Sequence, residues 1–359
     1  MNFAIFGLSV SSSWGNGHAV LWRGLIAALL DLGHEVTFFE RDTDYYANNR
    51  DLMALPRGGR LVLYPDWPSV RARAKAAVGA ADVAIVTSYC PDALAATDLL
   101  ADASRPLRCF YDLDTPVTLA RLDSGQMVDY LGRDGLAGFD LVLSYTGGGA
   151  LTALRDLLGA RRVAPLYGWV DPVRYAPAAP NGPVAALSYL GTYAADRQGT
   201  VERLFVAPAR AMADRRFVIG GAQYPADFPW TKNIYFVRHV PPAAHPAFYA
   251  NSRVTLNVTR GAMARMGWCP SGRLFEAAAC GVPILSDSWA GLDDFFRPGI
   301  DILTADSTAE ALEALALSDA ELARVAHSAQ ARVLARHTAA HRAETLITLV
   351  GETARWEHA

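Results

Sequence analysis

Residues 2–40, NFAIFGLSVSSSWGNGHAVLWRGLIAALLDLGHEVTFFE, predict a strand, a helix and a second strand in succession. The apolar run over 2–10 is typical of a strand that is covered on both faces. After a polar loop, apolar residues recur at helical spacing from His18 to Gly33, and that glycine suits a helix C-cap. The next apolar run ends at Glu40. This order of elements indicates an α/β fold with a parallel sheet.

The alternation of strands and helices is interrupted once, at 167–183. This segment, YGWVDPVRYAPAAPNGP, holds four prolines and no periodicity, so we expect it to contain a linker. A chain of 359 residues also suggests two domains at about 150 residues each. We predict an N-terminal Rossmann-like domain over 1–170, a linker over 171–183, a C-terminal Rossmann-like domain over 184–335, and a final helix over 336–359 that packs back on the first domain.

Composition excludes several classes of protein. With 52% hydrophobic and 19% charged residues, the chain is not intrinsically disordered. No apolar run reaches the roughly 18–20 residues of a membrane helix. A net charge of −3 argues against a protein that coats nucleic acid. The four cysteines are scattered, and no Lys or Arg precedes Arg23 as a signal peptide would require. We therefore expect a cytoplasmic protein with reduced thiols, no transmembrane segment and no nucleic-acid partner.

The second half contains a long stretch without acids. From 228 to 275, 48 residues hold no Asp or Glu, although 36 acids in 359 residues predict roughly five. The same stretch carries six cations and two histidines: Lys232, Arg238, Arg253, Arg260, Arg265, Arg273, His239 and His245. Cations without nearby carboxylates suit a bound anion such as a diphosphate. The alternative is chance combined with surface arginines.

A helix predicted over 272–280 lies at the end of this stretch. Ser271 can cap it, and Gly272 allows a ligand to approach the backbone closely. The helix start offers free N–H groups and a positive dipole end to a phosphate. Glu276, one turn further on, can accept two hydrogen bonds from a ribose diol. The alternative is an ordinary capped helix, but capping and packing alone do not require Arg273 or Glu276.

The segment YLGTYAADRQ, 189–198, is a second candidate anion loop. Gly191, Thr192 and Tyr193 follow a predicted strand, and Arg197 opens a helix predicted over 197–213. Arg197 is equally suited to a helix surface. Four aromatic residues in loops or the linker could stack on a sugar or base, or could simply pack: Trp14, Trp169, Tyr193 and Trp268.

The first half offers polar residues after two predicted strands. In SSWGNGHAV, Gly15 and Gly17 allow a tight turn, and His18 at the helix start can transfer protons or merely cap or pack. In CFYDLDTP, alternation in an extended segment would place Asp112 and Asp114 on one face. These two carboxylates could hold a divalent metal, but we favour a polar role that contacts an acceptor.

Five segments resemble the GT-B glycosyltransferases, and among them the CgeB-like relatives of group 1 glycosyltransferases. They are WGNGHA, YDLDTPVTL, GWVDPVRY, YLGTYAADRQ and, most specifically, LNVTRGAMARMGWCPSGRLFEAAACGVPILSDSWAGLDDFF. Together they span nearly the whole chain. The resemblance implies two Rossmann-like domains facing across a cleft, with a nucleotide-sugar donor held mainly by the second and an acceptor mainly by the first. It also implies no obligatory metal and no cofactor.

Carried over by position, the resemblance assigns roles to residues of both domains. Ser271, Gly272 and Arg273 would cradle the donor diphosphate, and Arg273 would act in catalysis. Glu276 would hold the ribose. Further donor contacts are expected from Gly191, Thr192, Tyr193, Arg197, Arg238, His239, Val240 and Arg260. On the acceptor side, His18 is the candidate base, and contacts are expected from Trp14, Asn16, Gly17, Asp112 and Asp114.

One position departs from the resemblance. Many retaining members carry two glutamates eight positions apart, but Trp268 stands eight positions before Glu276. The missing glutamate puts retaining stereochemistry in doubt, and His18 as a base would fit an inverting reaction. We expect a hexosyltransferase that uses a nucleotide-sugar, with a UDP-sugar favoured. The sequence leaves open a glycan, a lipid, a small molecule or a protein as the acceptor.

Two other functions are compatible with parts of the sequence. Gly15, Gly17 and Glu40 loosely mimic the dinucleotide site of an NAD-dependent oxidoreductase, although Val20 occupies the position of the third glycine. A non-catalytic protein that binds sugar nucleotides or glycans would explain the missing glutamate. Binding of UDP or GDP but not NAD, and then donor hydrolysis or transfer, would separate these possibilities.

Overall fold

The computed structural model describes residues 1–357, and the chain divides into two compact units. The N-terminal unit comprises Met1–Tyr167 together with the helix that begins at Ala339, and the C-terminal unit comprises Gly168–Thr338. Each unit has its own parallel sheet and its own hydrophobic core. The two Rossmann-like domains expected from the sequence are therefore confirmed.

The N-terminal sheet has seven parallel strands in the order β3-β2-β1-β4-β5-β6-β7. The strands are β1 Asn2–Gly7, β2 Glu35–Arg41, β3 Arg60–Tyr64, β4 Val83–Thr87, β5 Leu107–Asp112, β6 Leu141–Ser144 and β7 Val163–Pro165. Phe3 of β1 pairs with Val36 on one side and Val83 on the other. The strand order reverses between β1 and β4, and ligands of such sheets bind outside the carboxyl ends of the strands at this point.

Helices cover this sheet and are started and stopped by identifiable residues. They are α1 Gly17–Asp31, α2 Asp44–Ala47, α3 Trp67–Ala80, α4 Ala93–Ala101, α5 Thr115–Asp123, α6 Gly149–Asp156 and α15 Ala339–Glu357. The Asn16 side chain caps α1 by accepting from the His18 N–H at 3.1 Å. Gly33, with φ of +80°, follows the end of α1 as the sequence predicts. Helix α15 packs against α1.

The C-terminal sheet has six parallel strands in the order β10-β9-β8-β11-β12-β13. The strands are β8 Leu187–Leu190, β9 Phe217–Gly221, β10 Ile234–Arg238, β11 Thr255–Asn257, β12 Ile284–Ser286 and β13 Leu303–Thr304. The order reverses between β8 and β11. The carboxyl ends of these two strands are therefore the expected place for a ligand.

The helices of the C-terminal unit vary in length. They are α7 Gln198–Val201, α8 Ala207–Ala211, α9 His245–Ala250, α10 Gly261–Met266, α11 Gly272–Ala279, α12 Leu292–Phe295, α13 Thr308–Ala316 and α14 Asp319–Arg336. A π-helical segment, Glu202–Val206, joins α7 to α8. No helix within residues 1–357 combines the length and the apolar character needed to cross a membrane.

Two elements differ from the sequence prediction. The strand expected over 2–10 ends at Gly7, because Glu40 binds the following residues into a loop. The helix expected over 197–213 is segmented by the π-helical turn and ends at Ala211. From Thr308 to Glu357 the chain forms three helices, α13, α14 and α15. A capping box at Ser318 starts the second of them.

Both cores are built from the inward faces of these elements. Strand β1 is covered on both sides, since Phe3, Ile5 and Phe6 are fully buried. Phe6 stacks on Phe39 of the neighbouring strand with ring centroids 4.7 Å apart. Burying a side chain of this size contributes about 1.5–3 kcal/mol to stability. All four cysteines are buried, and none of them forms a disulfide within residues 1–357, as expected for structural thiols.

Candidate functional site

Polar and glycine residues gather at the carboxyl edge of the C-terminal sheet. We call residues 191–197, 221–224, 257–260 and 271–276 the C-terminal crest. The loops after β8 and β9 approach closely here, since a Cβ placed on Gly221 would lie 2.0 Å from the Gly191 carbonyl oxygen. A Cβ on Gly191 would in turn lie 3.0 Å from Nη2 of Arg273. Because a Cβ on Gly221 would meet backbone atoms, the packing of the crest requires glycine at that position.

Arg273 is held in place by neutral groups. Its Nη1 donates to Oδ1 of Asn257 at 3.0 Å, and its guanidinium lies 5.3 Å from the centroid of the Tyr189 ring. Its Nε is buried and has no hydrogen-bond partner among the residues that the structure describes. Because an amide and an aromatic face leave the charge of Arg273 uncancelled, this guanidinium is suited to an anion.

Arg197 shares a contact with Arg273. Its Nη1 donates to the hydroxyl of Tyr189 at 3.1 Å, so both guanidinium groups contact Tyr189. The Nε of Arg197 is likewise buried and without a partner in the described part of the chain. The structure thus brings together two arginines that lie far apart in the sequence.

The start of α11 adds backbone donors beside Arg273. Ser271 is the N-cap residue, as predicted, but its side chain makes no capping hydrogen bond. Within residues 1–357, the N–H groups of Gly272 and Arg273 have no acceptor. A Cβ on Gly272 would meet nothing within 4 Å. Free N–H groups, open space and the positive end of a helix form a suitable cradle for a phosphate.

The cations of the acid-free stretch 228–275 were expected to face no carboxylate, but Arg260 does face one. Its Nε lies 3.4 Å from Oδ2 of Asp196, and its side chain is 42% exposed. Asp196 also accepts from the N–H of Gly261 at 3.1 Å. Arg253 similarly pairs with Asp319 at 2.9 Å. A stretch that lacks acids in the sequence receives them from other segments when the chain folds.

The segment from Arg238 to Val240 leads away from the edge strand β10. Arg238 itself is exposed. His239 has a φ of +54° and donates its N–H to the Gly221 carbonyl at 2.8 Å. Val240 packs over Gly220, where an added Cβ would lie 2.8 Å from Val240 Cγ2. One backbone and one side-chain contact thus attach the segment to the β9 side of the C-terminal crest.

The remaining predicted residues of the β8 loop differ in exposure. Thr192 is exposed. The N–H of Tyr193 donates to the Ala222 carbonyl at 2.9 Å, and its ring lies 5.7 Å from that of Tyr224. The Tyr224 hydroxyl donates to the Gly191 carbonyl at 3.0 Å. The loop is therefore fixed by Tyr224, which the sequence pattern did not single out.

Glu276 faces a histidine and a tyrosine. Its Oε2 lies 3.4 Å from Nδ1 of His245, and the two side chains are 17% and 16% exposed. The Tyr175 hydroxyl lies 3.4 Å from the same nitrogen. Burial raises the pKa of Tyr175 well above its ordinary range, and the Glu276 carboxylate raises it further. Tyr175 therefore stays a neutral hydroxyl beside the carboxylate.

In the N-terminal unit, His18 and Asp114 form a pair at the carboxyl edge of the sheet. Nε2 of His18 lies 3.3 Å from Oδ2 of Asp114, with side chains 17% and 27% exposed. Nδ1 of His18 is buried and has no hydrogen-bond partner in the described residues. The Asp114 carboxylate at this distance can hold the imidazole ring in a fixed orientation.

The loop before His18 is shaped by its own residues. Gly15 has a φ of +59°, and the Asn16 amide donates to the carbonyls of Ser9 and Ser12. Asn16 is only 6% exposed, so its main role is to shape the loop and cap α1. Trp14 is 41% exposed. A Cβ on Gly17 would meet nothing within 4 Å, which leaves space above the helix start.

The expectation that Asp112 and Asp114 share one face is wrong. Asp112 ends β5 and is fully buried, whereas Asp114 is the N-cap residue of α5 and is partly exposed. The chain leaves the extended conformation between them, so alternation no longer applies. Oδ2 of Asp112 has no hydrogen-bond partner within the described chain, and burial raises its pKa to about 6. Of the two carboxylates, only that of Asp114 is accessible to a ligand.

Glu40 does not resemble the free carboxylate of a dinucleotide site. It is fully buried and accepts hydrogen bonds from the hydroxyls of Ser9 and Ser11 and from the N–H groups of Val10 and Ser11, at 2.6–2.9 Å. Both carboxylate oxygens are thereby committed to the loop after β1. This geometry disfavours the NAD-dependent alternative.

Trp268 stands where many retaining GT-B glycosyltransferases carry the first of two glutamates. It has a φ of +43°, and its indole N–H donates to Oδ2 of Asp294 at 2.6 Å. Its ring covers Gly291, where an added Cβ would lie 2.5 Å from the indole. Trp169 is 4% exposed and packs in the core.

Among residues 1–357 no cluster of three or more His, Cys, Asp or Glu side chains is placed to hold a metal ion.

Sequence reasoning missed the residues that orient the charged groups. Tyr189 and Asn257 lie at the ends of β8 and β11 and hold the two arginines. Tyr175 comes from the proline-rich segment and reaches the surroundings of Glu276. A strand end at the point where the strand order reverses was the available signal for the first two. No local pattern marks the third.

Comparisons with known proteins agree with this architecture. A family model described as glycosyl transferase-like matches residues 197–348. A search of curated protein sequences finds no match.

Solved glycosyltransferase structures match nearly the whole chain. Sucrose-phosphate synthase from Thermosynechococcus elongatus superposes with a TM-score of 0.70 at 14% identity, covering 98% of both chains. Anabaena HepE, solved in complex with UDP-glucose, has a TM-score of 0.67 at 13% identity, covering 98% of this chain and 100% of HepE. The α,α-trehalose 6-phosphate synthase from Burkholderia multivorans has a TM-score of 0.60 at 15% identity, covering 99% and 97%. The chain is therefore similar to glycosyltransferases in residues 197–348 and has the GT-B fold.

Proposed function

We propose that this chain transfers a sugar from a nucleotide diphosphate sugar to a hydroxyl acceptor. The observation that carries the proposal is the start of α11, where two free backbone N–H groups lie beside the uncancelled charge of Arg273. A UDP-sugar is favoured because HepE was solved with UDP-glucose. The sequence resemblance further favours a hexosyltransferase related to the CgeB-like proteins, and buried cysteines without disulfides favour a cytoplasmic location.

In the proposed reaction, the acceptor oxygen forms a bond to the anomeric carbon of the sugar while the bond from that carbon to the diphosphate breaks. Negative charge then accumulates on the leaving diphosphate. Arg273, Arg197 and the N–H groups at the start of α11 would stabilise this charge. Since guanidinium and amide groups supply the positive charge, the proposal includes no obligatory metal.

The acceptor hydroxyl must lose a proton as it attacks. We assign this proton to Nε2 of His18, where the imidazolium would lie 3.3 Å from the Asp114 carboxylate. His18→Ala is then expected to lower transfer by about 10²–10⁴-fold while leaving the affinity for UDP unchanged. Initial rates and UDP titrations on the same preparation measure both. A raised KM for the acceptor with an unchanged kcat would instead make His18 a binding residue.

A thermal-shift panel of UDP-, GDP-, dTDP- and ADP-sugars, with NAD as a comparison, tests the proposal. We expect a UDP-sugar to raise the Tm and NAD to leave it unchanged, followed by release of UDP when the enzyme is incubated with that donor. Stabilisation by NAD alone would overturn the proposal. Stabilisation by a UDP-sugar without hydrolysis or transfer would identify a non-catalytic sugar-nucleotide-binding protein.

A further inference from the structure

Glu276 is held by two residues from different segments of the C-terminal unit. His245 begins α9, and its Nδ1 lies 3.4 Å from Oε2 of Glu276. Tyr175 precedes β8, and its hydroxyl lies 3.4 Å from the same nitrogen. Tyr175 is 1% exposed, so its ring is fixed by the surrounding core. The carboxylate is therefore confined on the side that faces α9.

The second ring nitrogen of His245 has its own partner. Nε2 lies 3.2 Å from the carbonyl oxygen of Val240. A carbonyl oxygen and an ionised carboxylate can both only accept hydrogen bonds. Both ring nitrogens of His245 therefore lie near acceptor oxygens, which fixes the orientation of the ring. One side chain thus connects the segment after β10 with the carboxylate on α11.

The position of Glu276 relative to Arg273 suits the two parts of a nucleotide. The two residues are three apart on α11 and so lie on the same helix face. The free N–H groups and the guanidinium lie at the helix start, and the carboxylate lies one turn further on. A diphosphate at the first position would place the attached pentose near the second.

We propose that His245 and Tyr175 are positioning residues, which hold Glu276 for the two hydroxyls of a ribose and so make the site select ribonucleotide over 2′-deoxyribonucleotide donors. The inference rests on the proposed function, because it assumes that a nucleoside diphosphate binds at the start of α11. A carboxylate fixed in advance loses little freedom on binding and can accept from both hydroxyls. A 2′-deoxyribose leaves one of these bonds unmade.

The structure offers a matched control for Tyr175. Tyr249 is fully buried, and the Glu276 carboxylate adds to the rise in its pKa that burial causes. The hydroxyl of Tyr249 has no hydrogen-bond partner among residues 1–357. Tyr175→Phe and Tyr249→Phe therefore make the same chemical change near the same carboxylate, but only the first removes a polar contact.

The experiment measures the affinities of UDP and of 2′-deoxy-UDP by calorimetry for the wild type, Tyr175→Phe, His245→Gln and Tyr249→Phe. We expect the wild type to prefer UDP by about 10- to 100-fold, as one hydrogen bond to a charged group predicts. Tyr175→Phe and His245→Gln should reduce this ratio at least about fivefold through weaker binding of UDP, because the carboxylate is no longer preorganised. Tyr249→Phe should keep the wild-type ratio of the two affinities.

The possible failures are distinguishable. If all proteins bind UDP and the ratio is unchanged in Tyr175→Phe and His245→Gln, the positioning role is overturned while the proposed function stands. If Tyr249→Phe lowers the ratio as much as Tyr175→Phe, general packing explains the effect and the positioning role is again overturned. If the wild type binds neither nucleotide, the proposed function fails and the inference fails with it. Thermal unfolding of each variant verifies that the fold is retained.

Discussion

Arg273 is the residue on which the proposed chemistry depends most. Its partners are an amide and an aromatic ring, so a diphosphate would supply its counter-charge. Arg273→Ala is expected to lower kcat/KM by about 10²–10³-fold, the usual effect of removing one donor to a developing negative charge. Steady-state kinetics with the preferred UDP-sugar measure the loss.

Arg265→Ala is the matched control for that substitution. Arg265 belongs to the same acid-free stretch but is exposed on α10, outside the C-terminal crest. We expect kcat/KM of the Arg265→Ala variant to stay within about twofold of the wild-type value, as is usual for surface substitutions. Equal losses in both variants would mean that the overall positive charge of the stretch, rather than the position of Arg273, explains the effect.

Asp112 predicts a pH-dependent stability. Burial raises its pKa from 3.8 to about 6, so between these values the folded chain keeps a proton that the unfolded chain has released. The free energy of unfolding from this group therefore falls as the pH rises through that window and stays low above it. Asp112→Asn removes the charge, and we expect it to stabilise the protein by about 1–3 kcal/mol at pH 7.5 and by less at pH 4.5. Urea unfolding at both pH values tests this.

Asp301→Asn should act in the opposite direction and serves as the control. Burial raises the pKa of Asp301, but hydrogen bonds from Arg297 and Ser328 outweigh burial and hold it well below its ordinary range. Its stabilising contribution is therefore present at neutral pH and is lost only in strong acid. Destabilisation by Asp112→Asn at pH 7.5 would contradict our description of that carboxyl.

At the residue scale, the sequence was a good guide to which residues belong to the candidate site. It was a poorer guide to the partners of their charged side chains. Ser271, Gly272 and Arg273 follow from a helix that begins after a turn, and the structure places that start as expected. The partner of Arg260 could not be foreseen, because Asp196 comes from another segment of the fold. Asp112 and Asp114 are separated because α5 begins directly after Asp114. The alternation of side chains along a strand does not predict where that helix begins.

At the scale of elements, helix α11 supplies the proposed phosphate cradle through its backbone. Gly272→Ala tests this, because open space surrounds the added methyl group and alanine is the better helix former. We expect an unchanged or slightly higher Tm together with about a tenfold or larger loss of UDP affinity, since the methyl group occupies the space of the ligand. Differential scanning calorimetry and UDP titration measure the two quantities.

Gly221→Ala shows how a purely structural glycine should behave. An added Cβ would lie 2.0 Å from the Gly191 carbonyl oxygen, so this variant should lose stability. If Gly272→Ala binds UDP as tightly as the wild type, the helix start is not the phosphate site.

The strands and longer helices could be predicted at this scale because their apolar periodicity is local. The π-helical segment Glu202–Val206 and the short helices α10 and α12 could not. Their formation depends on packing within the folded unit, and segments of four to six residues carry too little periodicity to predict it. The order of the strands likewise required the three-dimensional structure, although right-handed crossovers already favour a doubly wound sheet.

At the scale of the whole molecule, the proposal requires no metal. We expect dialysis against EDTA to leave the rate of sugar transfer within about twofold of the untreated enzyme, because guanidinium and backbone groups would carry the diphosphate charge. Initial rates before and after chelation measure this. Loss of activity that Mg²⁺ or Mn²⁺ restores would contradict the proposal.

The central claim is that the diphosphate of a nucleotide-sugar binds at the start of α11 beside Arg273. A crystal structure of the chain with UDP tests it most directly. We predict phosphate oxygens within hydrogen-bonding distance of the N–H groups of Gly272 and Arg273 and of the Arg273 guanidinium. UDP bound at another place, with the start of α11 unchanged, would contradict the claim.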